Sequence, residues 1–252
     1  MDMDLPAEDL LREYEELEKS GFELGKVFEF GDRLGRSNEL ELHFRLILDD
    51  EKRPRSQRWH PEDFFRLHRY EGMLYLRQLL ASEDKDYGAS AAYLMAELLP
   101  RGRYPGQAEL LEELNGTLVR LAESEAPEYR RKCLIALGWV GTEREISVLE
   151  RHLLEDSDSL CRAWSASAFL QMSGRVDENI LKQKASRVLI SCFEQETDVF
   201  VRGVAVEAVQ AVWDVKLGLR GCAVEERNQK AVNRGVRHAL EFLTAEKQYL
   251  SD

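Results

Sequence analysis

In the second half of the chain an arginine is followed by a small residue three positions on and an alanine at six, and the arrangement recurs. It reads Arg130-Cys133-Ala136-Leu137, then Arg162-Ser165-Ala168-Phe169, then Arg202-Ala205-Ala208-Val209, with the arginines 32 and 40 residues apart. A weaker copy without the arginine, Gly88-Ala91-Leu94-Met95, lies 42 residues upstream of the first. Residues three apart share one side of an α-helix. The small residues therefore make a seam along which neighbouring helices approach closely, while Leu137, Phe169 and Val209 fill the space beside it. Self-similarity at this period belongs to stacked helix pairs, in which each unit buries its apolar face only against its neighbours. The expected fold is all-α, an α-solenoid.

Helix punctuation supports that organisation. Pro61 and Pro127 suit first turns, Pro100 ends a helix, and Gly141 and Gly174 suit C-termini. The spacing predicts helix pairs over 61–82 and 86–99, 107–123 and 127–140, 143–154 and 158–173, and 178–195 and 198–217. Thr142 and Glu145 have capping-box spacing ahead of the fifth of these helices. A polar helix over 224–247, opening with Glu225, Glu226, Arg227, Asn228, Gln229 and Lys230, reads as a solvent-facing cap for the last repeat. Residues 6–19 form an acidic amphipathic helix with Leu10, Leu11, Tyr14 and Leu17 on one stripe. Residues 20–59 read as the least regular part, punctuated by Gly21, Gly25, Gly31 and Gly35 and ending in a polar loop over 51–58. The expected division is an acidic N-terminal extension over 1–59, partly irregular, and a repeat solenoid with its cap over 60–252.

Arg130-x-x-Cys133-x-x-Ala136-Leu137-x-x-Val140-Gly141 resembles the second-helix signature of HEAT repeats. Asp198-x-x-Val201-Arg202-x-x-Ala205-x-x-Ala208-Val209 matches that signature from the acidic residue through the second alanine, and Asp158 to Phe169 is a looser copy. The resemblance covers about residues 61–217. It implies a right-handed α-solenoid of about four HEAT-like helix pairs with an N-terminal helical extension and a C-terminal capping helix. It also implies that Arg130, Arg162 and Arg202 are structural, hydrogen-bonding acidic residues near the adjacent helix start, Asp158 or Asp198. It implies no particular function, because one fold hosts many roles.

Charge narrows the roles. The net charge is −12, and residues 1–60 hold 16 Asp/Glu against 10 Lys/Arg. That balance opposes a phosphate-backbone binder, whose affinity comes from Lys and Arg neutralising phosphates, and it favours a basic protein partner. No apolar run reaches the roughly 20 residues of a membrane helix, and Met1 to Pro6 is acidic where a secretory signal is basic and then apolar. A cytoplasmic chain without membrane association is expected. Cys133, Cys161, Cys192 and Cys222 are spaced by 28, 31 and 30 residues, form no CxxC pair, and read as reduced thiols packed as small hydrophobes.

No catalytic signature occurs, so a non-enzyme is expected, with no cofactor and no metal. His60 and His68 with Glu62 and Asp63 form one acidic-histidine cluster, but they lack metal-ligand spacing. His43, His152 and His238 are isolated and read as surface or boundary residues.

The candidate binding residues lie beside the repeat seam. Counting from each repeat arginine, Trp164 sits at +2 and Trp139 at +9, offsets that place both on nearly the same helix side, roughly 100° from the small-residue stripe. That side borders the concave groove of a solenoid. Lys132 and Gln171 share it, and Arg131 adds a cation beside Arg130. Either the tryptophans pack between repeats, or they anchor a partner as aromatics inside a polar rim do. The leading expectation is a non-catalytic protein-binding scaffold using the concave face. Narrower is an immunity-type inhibitor masking a basic toxin; the contrasting alternative is a HEAT-like nucleic-acid-processing enzyme of DNA glycosylase type, which the charge opposes.

Overall fold

Aspartates start four of the repeat helices in the computed structural model, which describes residues 6–249. Asp84, Asp158, Asp177 and Asp198 are N-caps whose carboxylates accept first-turn N–H groups, for example Phe200 N to Asp198 at 2.8 Å and Cys161 N to Asp158 at 2.9 Å. Each satisfies donors that a helix start leaves without an intrahelical partner. The expectation for Met1 to Leu5 lies outside the described residues.

The chain divides into two compact units, residues 1–110 and 111–252. The first holds α1 (Ala7–Lys19), α2 (Leu24–Arg36), α3 (Leu40–Glu51), α4 (Glu62–Phe65), α5 (Arg69–Leu79) and α6 (Lys85–Leu98); α7 (Gln107–Ala122) runs across the division. The second holds α8 (Pro127–Val140), α9 (Ile146–Glu155), α10 (Ser159–Met172), α11 (Glu178–Gln195), α12 (Val199–Val212), α13 (Gly221–Glu225) and α14 (Gln229–Tyr249). No strand occurs among the described residues.

In the second unit α8 packs on α10, α10 on α12, and α12 on α14, while α9 packs on α11. Successive layering of like helices is the arrangement of an α-solenoid. The seam is as the spacing requires: Ala136, Ala168, Ala205 and Ala208 are buried, as are Leu137, Phe169 and Val209. Gly138 tightens it further. A Cβ there would lie 3.0 Å from the Ala168 Cα, so α8 and α10 meet backbone to backbone. Cys133, Cys161 and Cys192 are buried in the same stack.

The terminal helix differs from expectation. It is two helices, α13 and α14, broken at Arg227, whose φ of 51° is left-handed. Only α14 carries the cap, and its inner stripe of Val232, Val236, Ala239 and Leu243 is buried. The Thr142–Glu145 box also forms in a modified way. Glu145 Oε2 accepts from Thr142 N at 2.7 Å and from the Thr142 hydroxyl at 2.8 Å, and α9 then begins one residue later.

Residues 20–59 depart most from the sequence reading, because α2 and α3 occupy most of them. Gly31 and Gly35 lie inside α2, one turn apart on one face, and are not helix punctuation. A Cβ on Gly31 would lie 2.5 Å from the Phe64 ring, and one on Gly35 would lie 2.5 Å from the Phe64 carbonyl oxygen. Both glycines clear a channel for α4 and the 3-10 turn after it. The single helix expected over 61–82 is correspondingly broken. α4 passes into a 3-10 turn, and Arg69, with φ 53°, starts α5 in a new direction.

The first unit closes around Leu10, Leu17, Val27, Phe30, Leu34, Leu42, Leu46 and Trp59. Trp59 stacks on Phe22 at 6.2 Å and meets Tyr14 and Phe30. The buried Asp50 carboxylate accepts from Trp59 N and His60 N, both at 3.2 Å, which holds the residue that turns the chain into α4. Two histidines read as surface or boundary residues are in fact internal. His43 is fully buried, with Nδ1 2.8 Å from His68 Nε2 and Nε2 2.9 Å from the Pro61 carbonyl. His152 is buried against Asp156, Nδ1 to Oδ2 2.8 Å. The polar neighbours of His43 come from distant segments, so periodicity on its own helix could not show them, whereas Asp156 lies four residues after His152 at the end of α9.

Candidate functional site

The repeat arginines are spent inside the stack. Arg130, on α8, donates from Nε and Nη2 to the two oxygens of Asp156 at 2.9 and 2.6 Å, and from Nη1 to the carbonyls of Ser124 and Glu125. Arg162 repeats this one layer on. Its Nε donates to Glu196 at 2.6 Å and its Nη1 to the Asp156 carbonyl at 2.8 Å. The partners are therefore Asp156 and Glu196, each two residues before an N-cap, and not the caps Asp158 and Asp198. The same carboxylates also accept the N-cap backbone N–H groups, Asp158 N at 2.9 Å and Asp198 N at 2.8 Å. Each rung thus ties one helix to the start of the next.

Charge follows geometry. Burial raises the pKa of Asp156 and Glu196, but the facing guanidinium and the backbone donors outweigh it and hold both below the ordinary carboxylate range. Asp158 is lowered as well, chiefly by Arg131, whose Nε donates to it at 2.8 Å. Arg131, expected to be available to a ligand, is bound to the next repeat. The ladder ends at Arg202, where no carboxylate follows; Nη1 donates to Asn233 Oδ1 at 3.1 Å and Nε is buried without a partner.

The tryptophans are placed differently. Trp139 on α8 and Trp164 on α10 are half-buried, and Gln171 is exposed beside Gly138. Trp164 meets Phe200 of α12 edge to face, centroids 6.4 Å apart. Arg227 lies over the Phe200 ring, 5.4 Å from its centroid and 3.8 Å from Asp198. Phe200 and Arg227 escaped the sequence reading. Phe200 falls outside the Arg-based frame, and Arg227 was read as part of a continuous helix.

Residues 73–169 match the family model described as HEAT repeats. The chain carries HEAT repeats over that stretch. A crystal structure of an engineered protein is 20% identical, with a TM-score of 0.49, and the alignment covers 85% of this chain and 96% of that one. No curated protein matches the chain. HEAT repeats are in general protein-interaction scaffolds.

Two further polar features lie within and upstream of the HEAT match. Beside the Arg130–Asp156 pair, Glu123, Arg151, His152 and Glu155 line a cavity of about 310 Å³. Upstream of the HEAT match, His60, His68, Glu62 and Asp63 do not converge. His60 bonds to Glu62 at 2.9 Å, whereas His68 turns inward to His43. Among the described residues no three of His, Cys, Asp or Glu could hold a metal ion. None of the described helices is long and apolar enough to cross a membrane. The buried thiols of Cys133, Cys161 and Cys192 are each pushed up to about 12 by desolvation, which makes them packing groups and poor nucleophiles.

Proposed function

We propose that this HEAT-repeat chain is a non-catalytic protein-binding scaffold that engages its partner through the side of the stack bearing Trp139 and Trp164. The observation that carries the reading is the division of labour on the repeat helices. Arg130, Arg131 and Arg162 are consumed by carboxylates of the next layer, while Trp139 and Trp164 are half-buried and Gln171 is exposed. Large rigid aromatics within a polar surround are the usual anchors of protein interfaces. A phosphate-binding ladder would need those guanidinium groups unengaged, which speaks against the nucleic-acid-processing alternative. The net charge of −12 favours a basic partner through long-range steering, and an inhibitor that masks a basic toxin is one form of that.

The test is capture of partners from the native host by the full chain and by the Trp139→Ala/Trp164→Ala double variant, with far-UV circular dichroism of both. The expected result is one salt-sensitive stoichiometric protein partner, lost by the variant at unchanged helicity. Equal capture by both chains, or retention of DNA or RNA at physiological salt, would overturn the reading.

A further inference from the structure

The most exposed large apolar side chains among the described residues are not on the repeat helices. They are Leu24 and Phe28, 70% and 59% exposed, one turn apart on α2. Residues four apart form one stripe, so α2 carries an apolar face to solvent in addition to the face built from Val27, Phe30, Gly31 and Leu34 that it buries. Behind that stripe lies a cavity of about 440 Å³ whose apolar wall is Val27, Trp59, Phe64 and Leu98. Phe28 stands edge-on to Phe64 at 6.0 Å and forms its lip. Isolated exposed leucines are ordinary, but an exposed apolar stripe above an apolar cavity marks an interaction surface.

A second cavity of about 510 Å³ adjoins the first and shares Arg66, Leu98 and Arg101 with it. Its charged lining is Arg66, Arg69 and Arg101, above Leu67, Leu98 and Tyr104, and no carboxylate lines it. In a chain of net charge −12 this is a local reversal of sign. Arg101 reaches Glu97 at 2.8 Å while remaining largely exposed, the Arg66 side chain donates only to the Asp63 carbonyl at 3.2 Å, and the Arg69 side chain makes no hydrogen bond or ion pair among the described residues. The trough therefore has an apolar wall at the α2 end, where Glu62, Asp63 and Glu97 also line it, and is cationic without carboxylates at the other.

We propose that this trough on the first unit receives an amphipathic helix from a protein partner, apolar along one stripe and carrying carboxylates in its last turn. The stripe packs on Leu24, Phe28 and Phe64, and the carboxylates meet Arg66, Arg69 and Arg101, whose fork geometry suits them. The helix C-terminal end, already partly negative, points to the arginines. The proposal rests on the reading that the chain binds proteins, and it places a second contact outside the Trp139–Trp164 surface.

The experiment uses the full chain with the photo-crosslinker p-benzoylphenylalanine in place of Leu24, irradiated in lysate of the native host, with the joined segment sequenced by mass spectrometry. The expected segment has apolar residues at helical spacing and Asp or Glu in its last turn. Made as a labelled peptide, it binds the wild-type chain, and Phe28→Asp or Arg69→Glu each weakens it about tenfold or more. Exchanging the peptide's acidic residues for lysine restores affinity to Arg69→Glu. Crosslinks to nothing, to another copy of this chain, to lipid or to nucleic acid overturn the proposal, as does peptide binding that Phe28→Asp leaves intact. If Trp139→Ala/Trp164→Ala abolishes partner capture while Phe28→Asp does not, the scaffold reading stands and the trough falls.

Discussion

Asp156 is the residue whose loss should damage the second unit most for its size. Its carboxylate is 2% exposed and accepts four hydrogen bonds: Arg130 Nε and Nη2, His152 Nδ1 and Asp158 N, at 2.9, 2.6, 2.8 and 2.9 Å. Those donors belong to α8, α9 and the cap of α10, so one side chain joins three helices. Asp156→Ala leaves the Arg130 guanidinium, 10% exposed, with only the Ser124 and Glu125 carbonyls. Removing one partner of a buried ion pair costs about 3–5 kcal/mol, because the remaining charge is uncompensated. An exposed pair such as Arg12–Asp9 is worth less than about 1 kcal/mol. If uncompensated charge is the source, Arg130→Met in the same chain should recover at least about 1 kcal/mol, a coupling within the range for residues in contact. Urea unfolding followed by tryptophan fluorescence reads this unit, since Trp139, Trp164 and Trp213 lie in it. A loss below about 1 kcal/mol for Asp156→Ala, or singles and double additive within about 0.5 kcal/mol, would refute the reasoning.

Three further outcomes are expected. Ala168→Leu should destabilise the second unit by about 1–3 kcal/mol by the same urea titration, because the Gly138 backbone leaves no room for a longer side chain. The first unit should weaken in mild acid. Burial lowers His43 to about 3 and His68 to about 4 from 6.5, so the unfolded chain binds protons that the folded one refuses. Stability present above pH 6.5 is then lost as pH falls towards those values, at about 1.4 kcal/mol per pH unit for each histidine, and His68→Asn should flatten the denaturation profile measured across that window. Cys222 is exposed while Cys133, Cys161 and Cys192 are buried, so a thiol reagent should label only Cys222 rapidly in the native chain, the rest reacting on unfolding.

The repeat seam and the helices from Lys85 to Val212 were legible because they depend on local periodicity. Ala136, Ala168, Ala205 and Ala208 recur at the spacing one helix face imposes, and an aspartate caps several helix starts within reach of its own first turn. Gly31 and Gly35 misled because glycine has two uses. It frees the backbone at turns, and it also removes a side chain where another segment must pass. Only the approach of Phe64 distinguishes these at α2.

The linear chain determined a stack of helix pairs, since burying an apolar stripe every few turns requires neighbours with matching small residues. Tertiary structure decided which carboxylate each arginine meets, that His43 and His68 share a hydrogen bond, and that Leu24 and Phe28 face solvent above a cavity. Those pairings join residues from separate helices or turns. The distance between them is set by how the helices cross, a quantity that periodicity along one helix does not carry.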